Sequence, residues 1–358
     1  MGGGDGQQIK AQTLRGRPII LHLLEGPLVE TNYDYQHETH GKYDFNPLKL
    51  EHKLIFDKYL QNENVNLCDY SFVNTFIWRS TIQLSWTIIN DNLCLFGKTH
   101  KGTFMMLPPL GRNNIPQTLR ECFAIMKELN AEACLRATHR QGGFESSVNY
   151  VYAEFLDLSA CYAQAGLFDN DEYRIVETYP DYVYHASDLI NLAGRKYEKK
   201  RNEINSFKKN YNATYEPFEA RHIADTLKMI DEWRADREAC HGSQNLNGLV
   251  HEVEASKCAT IYFEELGLKG AVVLVDGKIE GFTFGEFLTS DTASVLIEKT
   301  NRKIHGLAQY IYQKFCATEY RGAKHVTAGE DWGIEGLRIA KTSYRPCMMA
   351  KKFTILEK

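Results

Sequence analysis

One succession of elements occurs twice in this chain. In the first half, Leu50, Leu54, Phe56 and Tyr59 mark a helix, and Asp69 or Ser71 is placed to cap a second one carrying Phe72, Phe76 and Ile77. Residues 84–89 and 93–96 read as a hairpin around Asn90-Asp91-Asn92. A short strand at 104–107 stops at Pro108-Pro109, and a helix from Pro116 puts Leu119, Cys122, Phe123, Met126 and Leu129 on one face. A strand at 133–136 and an apolar run at 148–156 follow. The second half repeats the order. Ile223, Leu227 and Ile230 mark one amphipathic helix, and Val253, Cys258 and Ile261 another. Then come a hairpin at 271–275 and 279–288 around Asp276-Gly277-Lys278, a strand at 292–298, a helix with Leu307, Ile311 and Phe315, a strand at 325–329 and a closing segment at 347–356.

Two helices, a meander of antiparallel strands, a helix, a strand, a helix and a final strand is the order of an acyltransferase-type half. The expected fold class is therefore α+β, with two tandem domains, each a mixed, mainly antiparallel sheet flanked by helices. The length agrees, since 358 residues at roughly 150 per domain make about two. The boundaries are placed at 1–45 for a partly disordered N-terminal extension, 46–185 for the first domain and 186–358 for the second, which carries the candidate site.

Composition narrows the function classes. The chain is 43% apolar and 25% charged, which excludes a disordered or collagen-like polymer. A net charge of −4 gives no whole-surface attraction to nucleic acid, so an anionic partner needs a local basic patch. Nine widely spaced cysteines without a CxxC pair fit small thiols buried in a reducing cytoplasm better than a disulfide framework or four-Cys zinc site. His22, His37, His40 and His52 lie near one another in sequence, but no ligand pattern completes a site, and they read as surface polar residues. The best continuous apolar run, 271–275, is strand-sized, and no leader or membrane span is read. GxSxG, Walker A, GxGxxG and HExxH patterns are absent.

Three stretches carry chemistry. Between Arg195 and Lys209 stand seven basic and two acidic residues, while Tyr197, Ile204, Phe207 and Tyr211 share one helical face. Such a helix docks on a core and offers Arg195, Lys196, Lys199, Lys200, Arg201 and Asn205 to phosphates, or is a solvated linker. In the second stretch, Glu330 and Asp331 end a strand and precede a helix bearing Arg338 and Lys341, with Tyr344 beyond. Carboxylates there can accept a proton from an attacking amine, and the cations can hold a carboxylate or phosphate. The alternative is that Asp331 caps the helix and pairs with Arg338. In the third, Glu298, Lys299 and Asn301 lead into Gly306, where acetyl-coenzyme A transferases place a Gly-rich pyrophosphate loop; here it is rich in Lys and Asn. Glu286 is a further carboxylate candidate.

The segments GRKYEKKRNEINSFKKNY and EDWGIEGLRIAKTSYRP, with DYSFVNTFIWR in the first half, resemble bacterial proteins related to the C-terminal domain of phosphatidylglycerol lysyltransferases. The resemblance runs from about Pro47 to the end. It implies a tandem acetyltransferase-like (GNAT-like) fold and kinship with enzymes that move an amino acid from aminoacyl-tRNA onto a lipid or peptidoglycan precursor. The expected protein is a soluble, cytoplasmic acyl- or aminoacyltransferase. Glu330, Asp331 and Glu298 are its catalytic candidates, and a tRNA or another phosphate-bearing donor is met by the basic helix. No metal is required and no cofactor is firmly implied; aminoacyl-tRNA or acyl-coenzyme A is the donor. An acetyl-coenzyme A-dependent N-acetyltransferase and a non-catalytic binding protein on a degenerate transferase fold are the alternatives.

Overall fold

The computed structural model describes residues 13–14, 17–18, 38–61, 63, 65–79, 82–99, 102–136, 146–156, 173–241 and 246–357. The chain divides into two units, Met1–Asp34 and Tyr35–Lys358. In the first, β1 (Thr13–Leu14) and β2 (Arg17–Pro18) form a short antiparallel ladder.

The second unit holds two mixed sheets. The first contains β3 (Glu38–His40), β4 (Tyr43–Pro47), β5 (Gln83–Ile89), β6 (Asn92–Thr99), β7 (Gly102–Met105), β8 (Ser147–Tyr152) and β9 (Tyr173–Glu177). The second contains β10 (Asp181–His185), β11 (Ala213–Pro217), β12 (Lys269–Val275), β13 (Lys278–Phe287), β14 (Thr292–Thr300), β15 (His325–Thr327) and β16 (Met348–Ala350). Both follow the expected order: two helices, an antiparallel meander, a helix, then a parallel step. That is the tandem acetyltransferase-like α+β architecture. The hairpins form where the turn residues demand it, with Asn90, Asp91 and Asp276 at positive φ. Ser71 caps the helix Phe72–Ile77, its hydroxyl accepting from the Asn74 N–H at 3.2 Å.

The last strand of each half crosses over. β17 (Lys352–Glu357) lies between β8 and β9 in the first sheet, and β10 lies between β15 and β16 in the second. The closing segment thus splits between sheets instead of finishing the second one, and 181–185 belongs to the second sheet rather than to the first half. One apolar core also spans both halves. Phe76 of the first meets Tyr262 of the second edge-on, ring centroids 5.6 Å apart.

Three further readings change. Residues 133–136 continue the helix Ile115–Arg136, because neither Gly nor Pro interrupts it after Pro116. Asn130 on that helix is buried and pairs with both backbone groups of Thr103, its Oδ1 accepting at 2.6 Å and its Nδ2 donating at 3.0 Å. In the N-terminal extension, β3 and β4 form part of the first sheet, and Phe45 is buried in its core. The run at 148–156 is strand only to Tyr152 and turns helical afterwards.

The parallel steps position the site. β14 pairs with β15 only over Thr292, Ala293 and Ser294, and from there to Thr300 it is paired on its β13 side alone. Where the two strands part, the exposed flank of β14 becomes a wall.

Candidate active site

That wall encloses a cavity of about 590 Å³. Residues 295–299 line one side, residues 328–330 with Trp332 another, and Asp69, Tyr150 and Lys352 come from the first sheet and its connections. Both sheets therefore contribute, and the crossed strands hold the parts together.

Lys352, fully buried, is the centre of an ion cage. Its Nζ lies 2.9 Å from Asp69 Oδ2, 2.9 Å from Asp181 Oδ1 and 2.6 Å from Glu330 Oε2. Burial alone would drive the ammonium toward neutrality, but the carboxylates around it reverse this and hold its pKa far above the ordinary lysine value. Asp69 moves up, because burial outweighs the pull of Lys352. Asp181 also accepts from the Cys68 N–H at 2.9 Å. Asp181 opens β10 and Lys352 opens β17, so the cage ties together the two strands that change sheets. Asp69 is engaged here; Ser71, not Asp69, caps the helix.

Glu330 and Lys341 line the cavity as expected from the strand-end motif. Lys341 donates to the carbonyls of Ala328 and Gly329, and burial lowers its pKa. Asp331 and Arg338 lie outside the lining. Asp331 is buried and accepts from Arg338 Nε at 2.9 Å, the Tyr182 hydroxyl at 2.8 Å and the Gly333 N–H at 2.8 Å. Burial would raise its carboxyl, but these three donors outweigh it and hold the pKa below the usual carboxylate range. The salt-bridge half of the alternative describes this pair, which orients the loop carrying Glu330; Asp331 does not cap the helix Glu335–Thr342, whose N-cap position is Ile334 with no side-chain cap bond.

Glu298 stands on the free flank of β14. Its Oε2 is buried with no hydrogen-bond partner, and burial pushes its pKa to about 8 against the opposing pull of Lys299. Lys200, on the helix Glu198–Asn210, also lines the cavity and places its ammonium 4.3 Å from the Tyr344 ring centre. Burial lowers its pKa. Lys299 lines the cavity too, paired with Glu252 at 2.7 Å. Asn301 instead turns to Glu280, donating at 2.8 Å.

The basic helix is not a row of free cations. Lys196 pairs with Asp188 at 2.9 Å. Arg201 donates to the Leu192 and Gly194 carbonyls, the latter at 2.7 Å, closing the left-handed end of the helix Ala186–Asn191. Arg201→Ala should thus cost roughly 1–2 kcal/mol of stability, two charge-assisted bonds lost, and leave anion binding nearly unchanged; urea unfolding beside a phosphate-ligand titration checks both. Arg195, Lys196, Lys199, Asn202 and His305 border an open groove with Glu198 and Glu203. Asn205 is exposed. Gly306 is buried where the Lys/Asn loop enters the helix Leu307–Glu319, and a Cβ there would sit 2.2 Å from the Glu203 carbonyl oxygen. The basic helix therefore lies directly against the loop that leads into Gly306.

Sequence reasoning missed Asp181 and Lys352, and read Asp69 only as a cap. The signal available was a lysine opening a strand whose Phe353, Ile355 and Leu356 are apolar. His40 and His52 serve as partners of Glu128 and Trp86, while His22 and His37 lie outside the described residues. Cys94, Cys122 and Cys316 are buried free thiols, but Cys134 and Cys347 are exposed. Cys161 and the Cys240 side chain lie outside the described residues.

Residues 64–356 match the family model described as phosphatidylglycerol lysyltransferase, C-terminal, and the chain belongs to that family. No curated protein matches it. Among solved structures it is similar to a conserved protein of unknown function from Bacteroides thetaiotaomicron, at 27% identity and TM-score 0.73, covering 88% of this chain and 99% of that one. The C-terminal domain of a lysylphosphatidylglycerol synthetase from Agrobacterium fabrum shares the fold at 12% identity and TM-score 0.56, covering 87% and 93% of the two chains. L-PGS from Bacillus licheniformis does so at 14% and 0.55, covering 86% and 92%. No helix among the described residues is long and apolar enough to cross a membrane.

Proposed function

We propose that this chain is an aminoacyltransferase that takes the aminoacyl group of an aminoacyl-tRNA in the cavity between its two sheets and passes it to a hydroxyl or amine acceptor in the cytoplasm. Membership of a family named for lysyl transfer to phosphatidylglycerol supports an aminoacyltransferase-type activity. The observation that carries the reading is Glu298, whose buried, partnerless carboxyl oxygen stands in the wall of a substrate-sized cavity.

The acceptor oxygen or nitrogen attacks the ester carbonyl of the donor. Glu298 takes the proton lost by the acceptor and returns it to the departing ribose oxygen. A pKa near 8 suits both steps at neutral pH. Lys200 and Lys341 stand in the same walls and stabilise negative charge developing on the carbonyl oxygen. The cage sets three carboxylates against one contacting ammonium, and its Asp69 and Glu330 reach the cavity. That excess of acid suits the α-ammonium of an aminoacyl group, which a simple acyl thioester lacks. The burial of Gly306 against the basic helix also favours an aminoacyl donor over acyl-coenzyme A. The groove at Arg195 and Lys199 meets the phosphates of the acceptor stem.

Filter binding of bulk aminoacyl-tRNA tests this. We expect salt-sensitive binding that falls more than about tenfold in an Arg195→Glu, Lys199→Glu variant, with a salt slope shallower by about 2. Equal binding by the variant, or none by the parent chain, contradicts the tRNA donor.

A further inference from the structure

At the opposite end of β10 from Asp181, three soft ligands meet. His185 closes β10, His325 opens β15 directly across from it, and Cys347 stands one residue before β16. The Cys347 N–H donates to the Val183 carbonyl at 2.9 Å, so its backbone is tied to β10 from the other side. The two imidazole rings stack with centroids 5.5 Å apart at 28°. One ligand atom from each of the three residues lies within 4.8 Å of the others. None of the three lines the cavity, and the aminoacyl-transfer chemistry uses none of them.

We infer that His185, His325 and Cys347 form a binding site for a zinc-class divalent cation that clips the crossed strand β10 to its two neighbours. Two imidazole nitrogens and one thiolate are a borderline-soft donor set, suited to tetrahedral Zn²⁺ with water in the fourth position. Ligand atoms around tetrahedral zinc stand about 3.3–3.6 Å apart, given bonds of about 2.0–2.3 Å. His185 and Cys347 are exposed and His325 partly so, and rotation of these side chains closes the remaining distance. Neither ring has a hydrogen-bond partner among the described residues, so the nitrogen lone pairs are not already spent. Burial lowers the His325 pKa, with Lys324 and His185 adding to the shift against Asp291. Burial raises the Cys347 thiol, and Asp188 adds to that shift. The thiol surrenders its proton to solvent on binding.

Titration of the full, metal-stripped chain with Co²⁺ decides the matter, since a cobalt–thiolate bond gives a charge-transfer absorption. We expect one equivalent bound, the band lost on adding Zn²⁺, and a melting temperature raised by Zn²⁺. Cys347→Ser should abolish the band, and His185→Ala or His325→Ala should weaken cobalt binding more than about tenfold, while Cys134→Ser leaves both unchanged. Circular dichroism verifies that each variant keeps the fold. The absence of a band in the parent chain overturns the inference. So does a band that survives Cys347→Ser, or cobalt affinity that is unchanged in both histidine variants.

Discussion

Replacing Glu298 with Gln should slow transfer at least about a hundredfold and, at the same time, make the protein more stable in mild alkali. Loss of a proton-transferring side chain costs typically 10²- to 10⁴-fold in rate. The stability effect follows from the direction of the pKa shift. Burial raises the folded-state value to about 8, above the ordinary carboxylate range, so the folded protein holds this proton more tightly than the unfolded chain does. The stabilisation from the protonated carboxyl is full below the unfolded value near 4.5 and is lost as pH rises through about 8. Gln keeps the shape of the protonated acid and never ionises. The melting temperature of the variant should therefore exceed that of the parent chain clearly at pH 8.5 and hardly at pH 4.5. Glu286 adds to the same slope. It is raised to about 7 by burial, with the Ser71 hydroxyl bonded to it pulling the other way. Thermal melts across pH 4.5 to 9 of the parent, Glu298→Gln and Glu286→Gln proteins check the sign, and a Glu298→Gln variant less stable at high pH than at low pH relative to the parent refutes it.

Lys352→Met should be the most destabilising single substitution in the ion cage. It leaves Asp69, Asp181 and Glu330 together without their shared ammonium, in a region where Lys352 itself has no solvent exposure. Removing one partner of a buried ion pair costs about 3–5 kcal/mol, because the remaining charge stays buried. At roughly 2–4 °C per kcal/mol for a large domain, the melting temperature should fall by about 6–20 °C. Adding Asp69→Asn and Asp181→Asn to Lys352→Met should recover part of that loss, because it removes the orphaned charges. Recovery distinguishes this account from a packing defect, which the added Asn residues would not repair. Equal stability of Lys352→Met and the parent chain contradicts it.

The elements that could be read from the sequence are those decided locally. Asn90-Asp91 and Asp276-Gly277 force turns through their tolerance of positive φ, so both hairpins were predictable. Ser71 announces the helix it caps. What could not be read is decided at long range. Tyr182, Val183 and Tyr184 form an apolar strand whichever sheet receives it, and Phe353 and Ile355 serve equally well at the end of either half. The exchange of β10 and β17 therefore leaves no local trace. The buried cage went unseen for the same reason, since its acids and its lysine come from positions 69, 181, 330 and 352. On the basic helix, the pattern of Ile204 and Phe207 gave the buried face correctly. It could not show that Arg201 turns back to the Leu192 and Gly194 carbonyls, because that need arises from the left-handed residue ending the preceding helix. Glu298 and Glu330, chosen from the ends of strands, do meet in one cavity, whereas Asp331 is committed to Arg338.

The direct test of aminoacyl transfer uses bulk tRNA charged with labelled amino acids, the purified chain and an extract containing lipids and small amine and hydroxyl acceptors. Label that survives deacylation of the tRNA and moves to a new product is counted over time. The account predicts transfer of at least one amino acid by the parent chain, with Glu298→Gln bound to the tRNA as tightly but slowed at least about a hundredfold. Failure of every amino acid to move, or transfer by Glu298→Gln at the parent rate, would contradict it.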